Sequence, residues 1–181
     1  FYTFDPGEHV DSTADELSPQ ELRARWETLP WDLLEDKPEA LTARYLSHPI
    51  QCEDYAITFD ETALQRATVK YGRAVAHAAF MYRHLEKAGA GRAWEVEVSV
   101  DETETPTTHA EHVYIATELR RLGVQWVSLA PRYIGSFEKG VDYIGDVQAF
   151  EADMAVHAAI SRTLGPYKLS LPSGFDKFIV Y

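Results

Sequence analysis

From residue 94 onward the chain switches repeatedly between two hydrophobic periods. Residues 94–100, 124–129 and 167–171 read as short apolar strands, and residues 108–122 and 147–164 as amphipathic helices. Strand, helix, strand, helix, strand with short connections predicts a parallel sheet whose crossovers are helices. The chain has 181 residues, 45% of them hydrophobic, which is ample for one cored domain. It is short of the about 250 residues of a complete (β/α)8 barrel. The expectation is an α/β fold: a parallel sheet with covering helices, as a partial or complete barrel of the TIM type, in which residues 1–181 form a single unit. The chain starts Phe1-Tyr2-Thr3-Phe4 without Met and stops at Phe178-Ile179-Val180-Tyr181, which reads as an unfinished strand. Both ends read as cuts through structure, so a piece of a longer protein is expected.

Local signals fill in the first half. Ser18-Pro19-Gln20-Glu21 has a capping Ser, Pro at the first helical position and an acid in the first turn, a strong helix start. That helix carries Leu22, Trp26 and Leu29 and stops near Pro30, and residues 31–46 read as helix interrupted at Pro38. Residues 55–59 read as a strand. From Asp60 to Lys87, Leu64, Ala67, Tyr71, Val75, Ala78, Met81 and Leu85 recur at helical spacing, with Gly89 as the stop. Within residues 94–100, Glu95 and Glu97 alternate with Val96 and Val98. A parallel strand covered on both faces is apolar throughout, so one face of this strand is expected to be polar or solvated.

The formal net charge is −12, which repels phosphate backbones and argues against a nucleic-acid partner. Cys52 is the single cysteine, so no internal disulfide forms and a reducing cytoplasm is the expected location. Apolar runs fall short of the roughly 18 residues of a membrane span. Glycine-rich phosphate loops, a GxGxxG fingerprint and a Gly-x-Ser-x-Gly elbow do not occur, so ATP, dinucleotide and acyl-transfer chemistry are not indicated.

Chemistry concentrates where Val98-Ser99-Val100 runs into Asp101, Glu102 and Glu104. Acids at the C-terminal end of a barrel strand sit on its catalytic face, where they bind a cation or exchange protons. The competing reading is solvated loop acids favouring the start of the next helix. Thr108 and Glu111 have capping-box spacing, so the intervening His109 and the following His112 read as structural rather than metal-binding. Glu8-His9 offers an acid beside a metal-type ligand, though a dipeptide alone is a weak signal. His77, His84 and His157 fall in helical patterns and read as packed or surface residues. Lys168, Asp176 and Lys177 bracket the last apolar run, where cations suit an anionic substrate such as a sugar acid; ordinary surface charge fits equally.

Several strings carry a more specific signal. Ser99-Val100-Asp101-Glu102-Thr103-Glu104-Thr105-Pro106-Thr107-Thr108 resembles the tagaturonate epimerase family of hexuronate catabolism. So do Ala130-Pro131-Arg132-Tyr133-Ile134-Gly135, the run from Phe137 to Gly145, Tyr167-Lys168-Leu169-Ser170 with Asp176-Lys177-Phe178, and Asp5-Pro6-Gly7-Glu8-His9-Val10. The resemblance implies a barrel-like fold, a divalent metal (Mn, Zn, Ni or Fe), and interconversion of D-tagaturonate and D-fructuronate. By position it makes Glu8 the proton acceptor, His9 a metal ligand and Glu102 the proton donor. Proton removal next to a ketone and return from the other side fits two opposed carboxyl groups. One departure stands out. Pro172 occupies the place where the family pattern has a ligating His, and Phe175 replaces a small polar residue. The rival reading is therefore a barrel relative that binds a sugar acid or a partner without catalysis. A metal-free carboxylate-pair glycosidase is a third.

Overall fold

The chain runs β1 (Tyr2–Phe4), α1 (Pro19–Glu27), α2 (Trp31–Leu34), α3 (Pro38–Leu46), β2 (Ile50–Cys52), β3 (Tyr55–Ile57), α4 (Glu61–Ala88), β4 (Val96–Ser99), α5 (His109–Arg121), β5 (Ser128–Ala130), α6 (Val147–Leu164) and β6 (Lys168–Leu169). This computed structural model describes residues 1–180. The main sheet has the order β1-β4-β5-β6 with every pairing parallel, so the α/β expectation of a parallel sheet with helical crossovers holds. β2 and β3 form a separate antiparallel hairpin. No helix among the described residues is long and apolar enough to cross a membrane.

Local chemistry sets the helix starts. Ser18 and Glu21 close a reciprocal capping box on α1, and Thr108 and Glu111 close another on α5. Asp60 accepts from the Ala63 amide at 2.7 Å and starts α4. The apolar stripe of α4 then buries Leu64, Ala67, Tyr71, Val75 and Ala78 against the α5 face that carries Val113, Tyr114 and Ile115.

The sheet has two unlike faces. Phe4, Val96, Val98, Val100 and Leu129 are buried in the core with the helices. Register aligns Thr3, Glu97, Ser128 and Lys168 across the strands on the opposite face. There Glu97 accepts from Ser128 Oγ at 2.9 Å, from Thr3 Oγ1 at 3.3 Å and from Ser170 Oγ. The alternation of Glu and Val in β4 thus separates a helix-covered face from a polar, hydroxyl-lined one.

Two expectations need correcting. Residues 178–180 form a 3-10 turn rather than a strand; Tyr181, the last residue of that expected strand, lies outside the described residues. Lys177, fully buried, donates to the Glu138 and Val141 carbonyls at 2.7 and 2.6 Å, and the Val180 amide turns back onto the Lys177 carbonyl at 3.2 Å. The strand expected over residues 124–129 begins only at Ser128, where β4 provides a ladder partner, and the hairpin strand β2 has no local signal beyond Ile50 and Cys52.

A polar clamp fixes α3 against α5. Glu118 on α5 accepts from the Tyr45 hydroxyl at 2.8 Å, Arg44 at 3.0 Å and Arg121 at 2.6 Å. Arg44 also reaches Asp36 at 2.8 Å. Burial pushes the Asp36 carboxyl up, but Arg44 and the Lys37 amide outweigh it and hold the group below its ordinary range. Removing the central acceptor strips the buried Tyr45 hydroxyl of its carboxylate partner, while Arg44 keeps Asp36 and Arg121 keeps the Leu34 and Glu35 carbonyls. Glu118→Ala is therefore expected to cost about 2–4 kcal/mol in urea denaturation.

Candidate active site

The C-terminal ends of adjacent strands β1 and β4 meet. β1 leads through Asp5 into the turn Gly7–His9, whose Gly7 amide donates to Asp5 Oδ1 at 3.0 Å. β4 leads into the loop that bears Asp101, Glu102 and Glu104. A Cβ on Gly7 would stand 3.7 Å from both Cβ and Oε2 of Glu102 and 3.1 Å from Asp5 Oδ1. The turn of Glu8 and the loop of Glu102 are therefore in contact, and both carboxyl groups are exposed. His9 packs against His77 with ring centroids 3.9 Å apart and planes inclined by 33°. Together with Arg73, Phe80 and Arg83 these two rings line a cavity of about 490 Å³. Burial, reinforced by His9, lowers the His77 pKa.

The loop that carries Glu102 is held at both ends. Asp101 accepts from Ser99 Oγ. Thr105 Oγ1 bonds Asp15 and accepts from Lys70 Nζ at 2.9 Å. Lys70, 1% exposed, also pairs with Asp15 at 2.8 Å and Glu111 at 3.2 Å. Thr107 exchanges backbone and side-chain hydrogen bonds with Arg132 just beyond β5. Burial raises the Glu111 pKa; Lys70 and the Thr108 amide act against it. Lys70 carries no sequence signal, because a lysine beside the apolar stripe of α4 reads as an ordinary surface charge.

The remaining sequence candidates lie apart from this pair. Lys168 is exposed and falls in register with Glu97 on the polar sheet face. Asp176 accepts from the Gly140 amide at 2.9 Å, and Lys177 has its ammonium on two carbonyls of the same 138–141 segment. Both therefore tie that segment to the chain after β6. Pro172 is half-buried and Phe175 is 78% exposed.

A histidine cluster that the spacing of single helices did not reveal lies between α5 and α6. His109, Asp153 and His157 each bring a donor atom within 4.8 Å of the others, a spacing a metal ion could bridge. His109 Nε2 is 2.8 Å from Asp153 Oδ1, and His157 Nε2 is 3.5 Å from Oδ2. Burial acts to raise the Asp153 pKa, yet its hydrogen bond to His109 and the adjacent His157 imidazole hold it well below the usual carboxylate range. His112 is fully buried, and burial with the neighbouring His157 and His109 drives its pKa well below the ordinary value. The available signal was Asp153-Met-Ala-Val-His157, a four-residue step on one helix face; His109 joins only through the α5–α6 packing.

Residues 1–181 match the model of the UxaE tagaturonate epimerase family. The chain belongs to the tagaturonate epimerase family. It is 39% identical over 180 residues to the tagaturonate/fructuronate epimerase of Thermotoga maritima, covering 99% of this chain and 36% of that protein. It also superimposes on the glycerol-complexed crystal structure of the fructuronate-tagaturonate epimerase UxaE from Cohnella laeviribosi with a TM-score of 0.90 at 40% identity, over 99% of this chain and 35% of that one. The native structure of that enzyme gives 0.89. The chain thus spans about a third of the length of these relatives.

Within this member of the family, the site's placement hangs on Lys70. Lys70→Met leaves Asp15 and Glu111 without their cation and is expected to cost about 3–5 kcal/mol in chemical denaturation. Adding Asp15→Asn and Glu111→Gln to Lys70→Met should recover part of that loss. If Lys70→Met unfolds at the parental denaturant midpoint, the cluster does not hold the loop.

Proposed function

We propose that the protein carrying this chain is an epimerase interconverting D-tagaturonate and D-fructuronate, with Glu8 as proton acceptor and Glu102 as proton donor. The observation that carries the reading is the contact between the Glu8 turn and Glu102 at neighbouring strand ends, in a chain that matches the family along its whole length. The sheet is proposed to be part of a (β/α) barrel, with residues 1–181 a single unit of a longer chain. Its polar face, with Thr3, Glu97, Ser128 and Lys168 in one layer, is the face such a barrel turns inward. The strand C-termini are where barrel enzymes keep their chemistry. Lys168 is proposed to meet the substrate carboxylate, and Asp176 and Lys177 to bound the site through the 138–141 segment they hold. A sugar-acid substrate, a cytoplasmic location and no nucleic-acid or membrane partner complete the proposal.

The two sugar acids differ at C4, while their ketone is at C2, counted from the CH2OH end. Enolisation beside the ketone reaches C3 but does not invert C4, so the simple expectation of proton exchange next to the ketone is revised. A carboxylate can instead take the C4 hydroxyl proton. The C3–C4 bond then opens, its electron pair passing to C3 and the C2 carbonyl as an enediolate, and C4 becomes an aldehyde. The aldehyde turns, C3 re-forms the bond to its other face, and the second carboxyl group protonates the new C4 alkoxide. Atoms and charge balance, and the residues need only hold a base and an acid on opposite sides of C4.

The divalent metal that the family resemblance implies would polarise the C2 carbonyl when bound. At the strand ends described here the donors do not fit it. His9 lies against His77, Pro172 brings no donor, and among the described residues the one three-donor cluster lies elsewhere. No step is therefore assigned to a cation at His9. Pro172 and Phe175 also support the second reading, a relative that binds a sugar acid or partner without turnover.

With the intact protein, Glu8→Gln and Glu102→Gln are each expected to lower kcat about 10²–10⁴-fold while leaving the melting temperature within a few degrees. Parental turnover in either variant would remove that residue from the mechanism, and no turnover in the parental protein would favour the non-catalytic reading.

A further inference from the structure

Hydrogen bookkeeping in the α5–α6 cluster leaves one buried ring nitrogen to account for. His157 is fully buried and its Nε2 has no hydrogen-bond partner among the described residues. Its Nδ1 lies 2.8 Å from His112 Nδ1, and His112 Nε2 lies 2.8 Å from the Tyr167 hydroxyl. Each of these short contacts needs one hydrogen. When His157 donates through Nδ1, its Nε2 is a bare lone pair facing the Asp153 carboxylate at 3.5 Å, two acceptors with nothing between them. When His112 donates instead, His157 has its hydrogen on Nε2, but 3.5 Å is too long for a good N–H···O bond. The first arrangement is how ligating histidines are supported: the far ring nitrogen donates to a second partner, which fixes the tautomer.

We propose that His109, Asp153 and His157 form a binding site for a Zn²⁺-like transition-metal cation, with His112 and Tyr167 as hydrogen-bonded support behind His157. Ligand bonds of about 2.1 Å in a tetrahedron place neighbouring donors about 3.4 Å apart, close to the 3.5 Å between His157 and Asp153. Two imidazoles and one carboxylate select Zn²⁺, Co²⁺, Ni²⁺ or Fe²⁺ over the all-oxygen preferences of Mg²⁺ and Ca²⁺. Three protein ligands leave a fourth position for water. The His109 and Asp153 side chains are 33% and 18% exposed, which gives a cation a way in, whereas His157 closes the site from inside. The bound ion would join the first residue of α5 to the middle of α6. The inference is independent of the epimerase reading, because binding is measured without substrate.

The intact protein, stripped with a chelator, is titrated with Co²⁺ while the visible absorption of a four-coordinate site is followed, then competed with Zn²⁺. One equivalent is expected to bind at this cluster. Tyr167→Phe, which keeps the ring, should weaken Co²⁺ binding roughly tenfold. His109→Ala and Asp153→Asn should weaken it further still. These two partly exposed positions are used because His157→Ala opens a hole in the core. His9→Ala should leave the Co²⁺ affinity unchanged. Absence of Co²⁺ and Zn²⁺ binding by the intact protein would overturn the proposal, and so would binding that survives Asp153→Asn but vanishes in His9→Ala.

Discussion

A single buried ammonium group organises this structure. Lys70, in the middle of α4, is 1% exposed, and taking such a charge out of water costs several kcal/mol unless partners replace the lost hydration. Asp15, Glu111 and Thr105 are those partners. They come from the 3-10 turn at Ser12–Asp15, the first turn of α5, and the loop after β4. Satisfying one cation therefore draws together the segments flanking the two candidate acids. Glu111 does double duty, since its other oxygen caps α5 through the Thr108 amide at 2.7 Å.

The second constraint is the two-faced sheet. Val96 and Val98 are each 1% exposed beneath the helices, while Glu97 between them gathers hydroxyls from three other segments. An acid in the middle of a parallel strand is stable only where that face is lined by donors. In the proposed epimerase the same polar face lies inside a barrel and leads toward the strand ends where the Glu8 turn approaches Glu102. Apolar side chains thus hold the helices on one side of the strands, and polar ones line the other.

What the residues revealed in advance depended on range. The caps at Ser18 and Thr108 act within three residues, so they are legible, as are the apolar stripe of α4 and the alternation in β4. Long matched strings led to the tagaturonate epimerase family, now supported along residues 1–181. The hairpin strand Ile50–Cys52 was missed because its partner, not its composition, makes it a strand. The turn at Phe178–Val180 was misread because a buried Lys177, whose acceptors lie nearly forty positions earlier, bends a β-prone run. Lys70 carries no local signal, because its partners lie in three other segments. His109 and His157 were read as structural because their meeting depends on helix packing across 48 positions, although the Asp153–His157 step was visible within one helix.

The most direct test follows hydrogen at the inverted carbon. The intact protein is incubated with D-tagaturonate in D₂O, and the sugar acid is followed by proton NMR. Opening and re-forming the C3–C4 bond predicts D-fructuronate that keeps its original hydrogen on C4, with deuterium entering no further than C3. Deuterium on C4 of the product, or no fructuronate at all, would contradict the account.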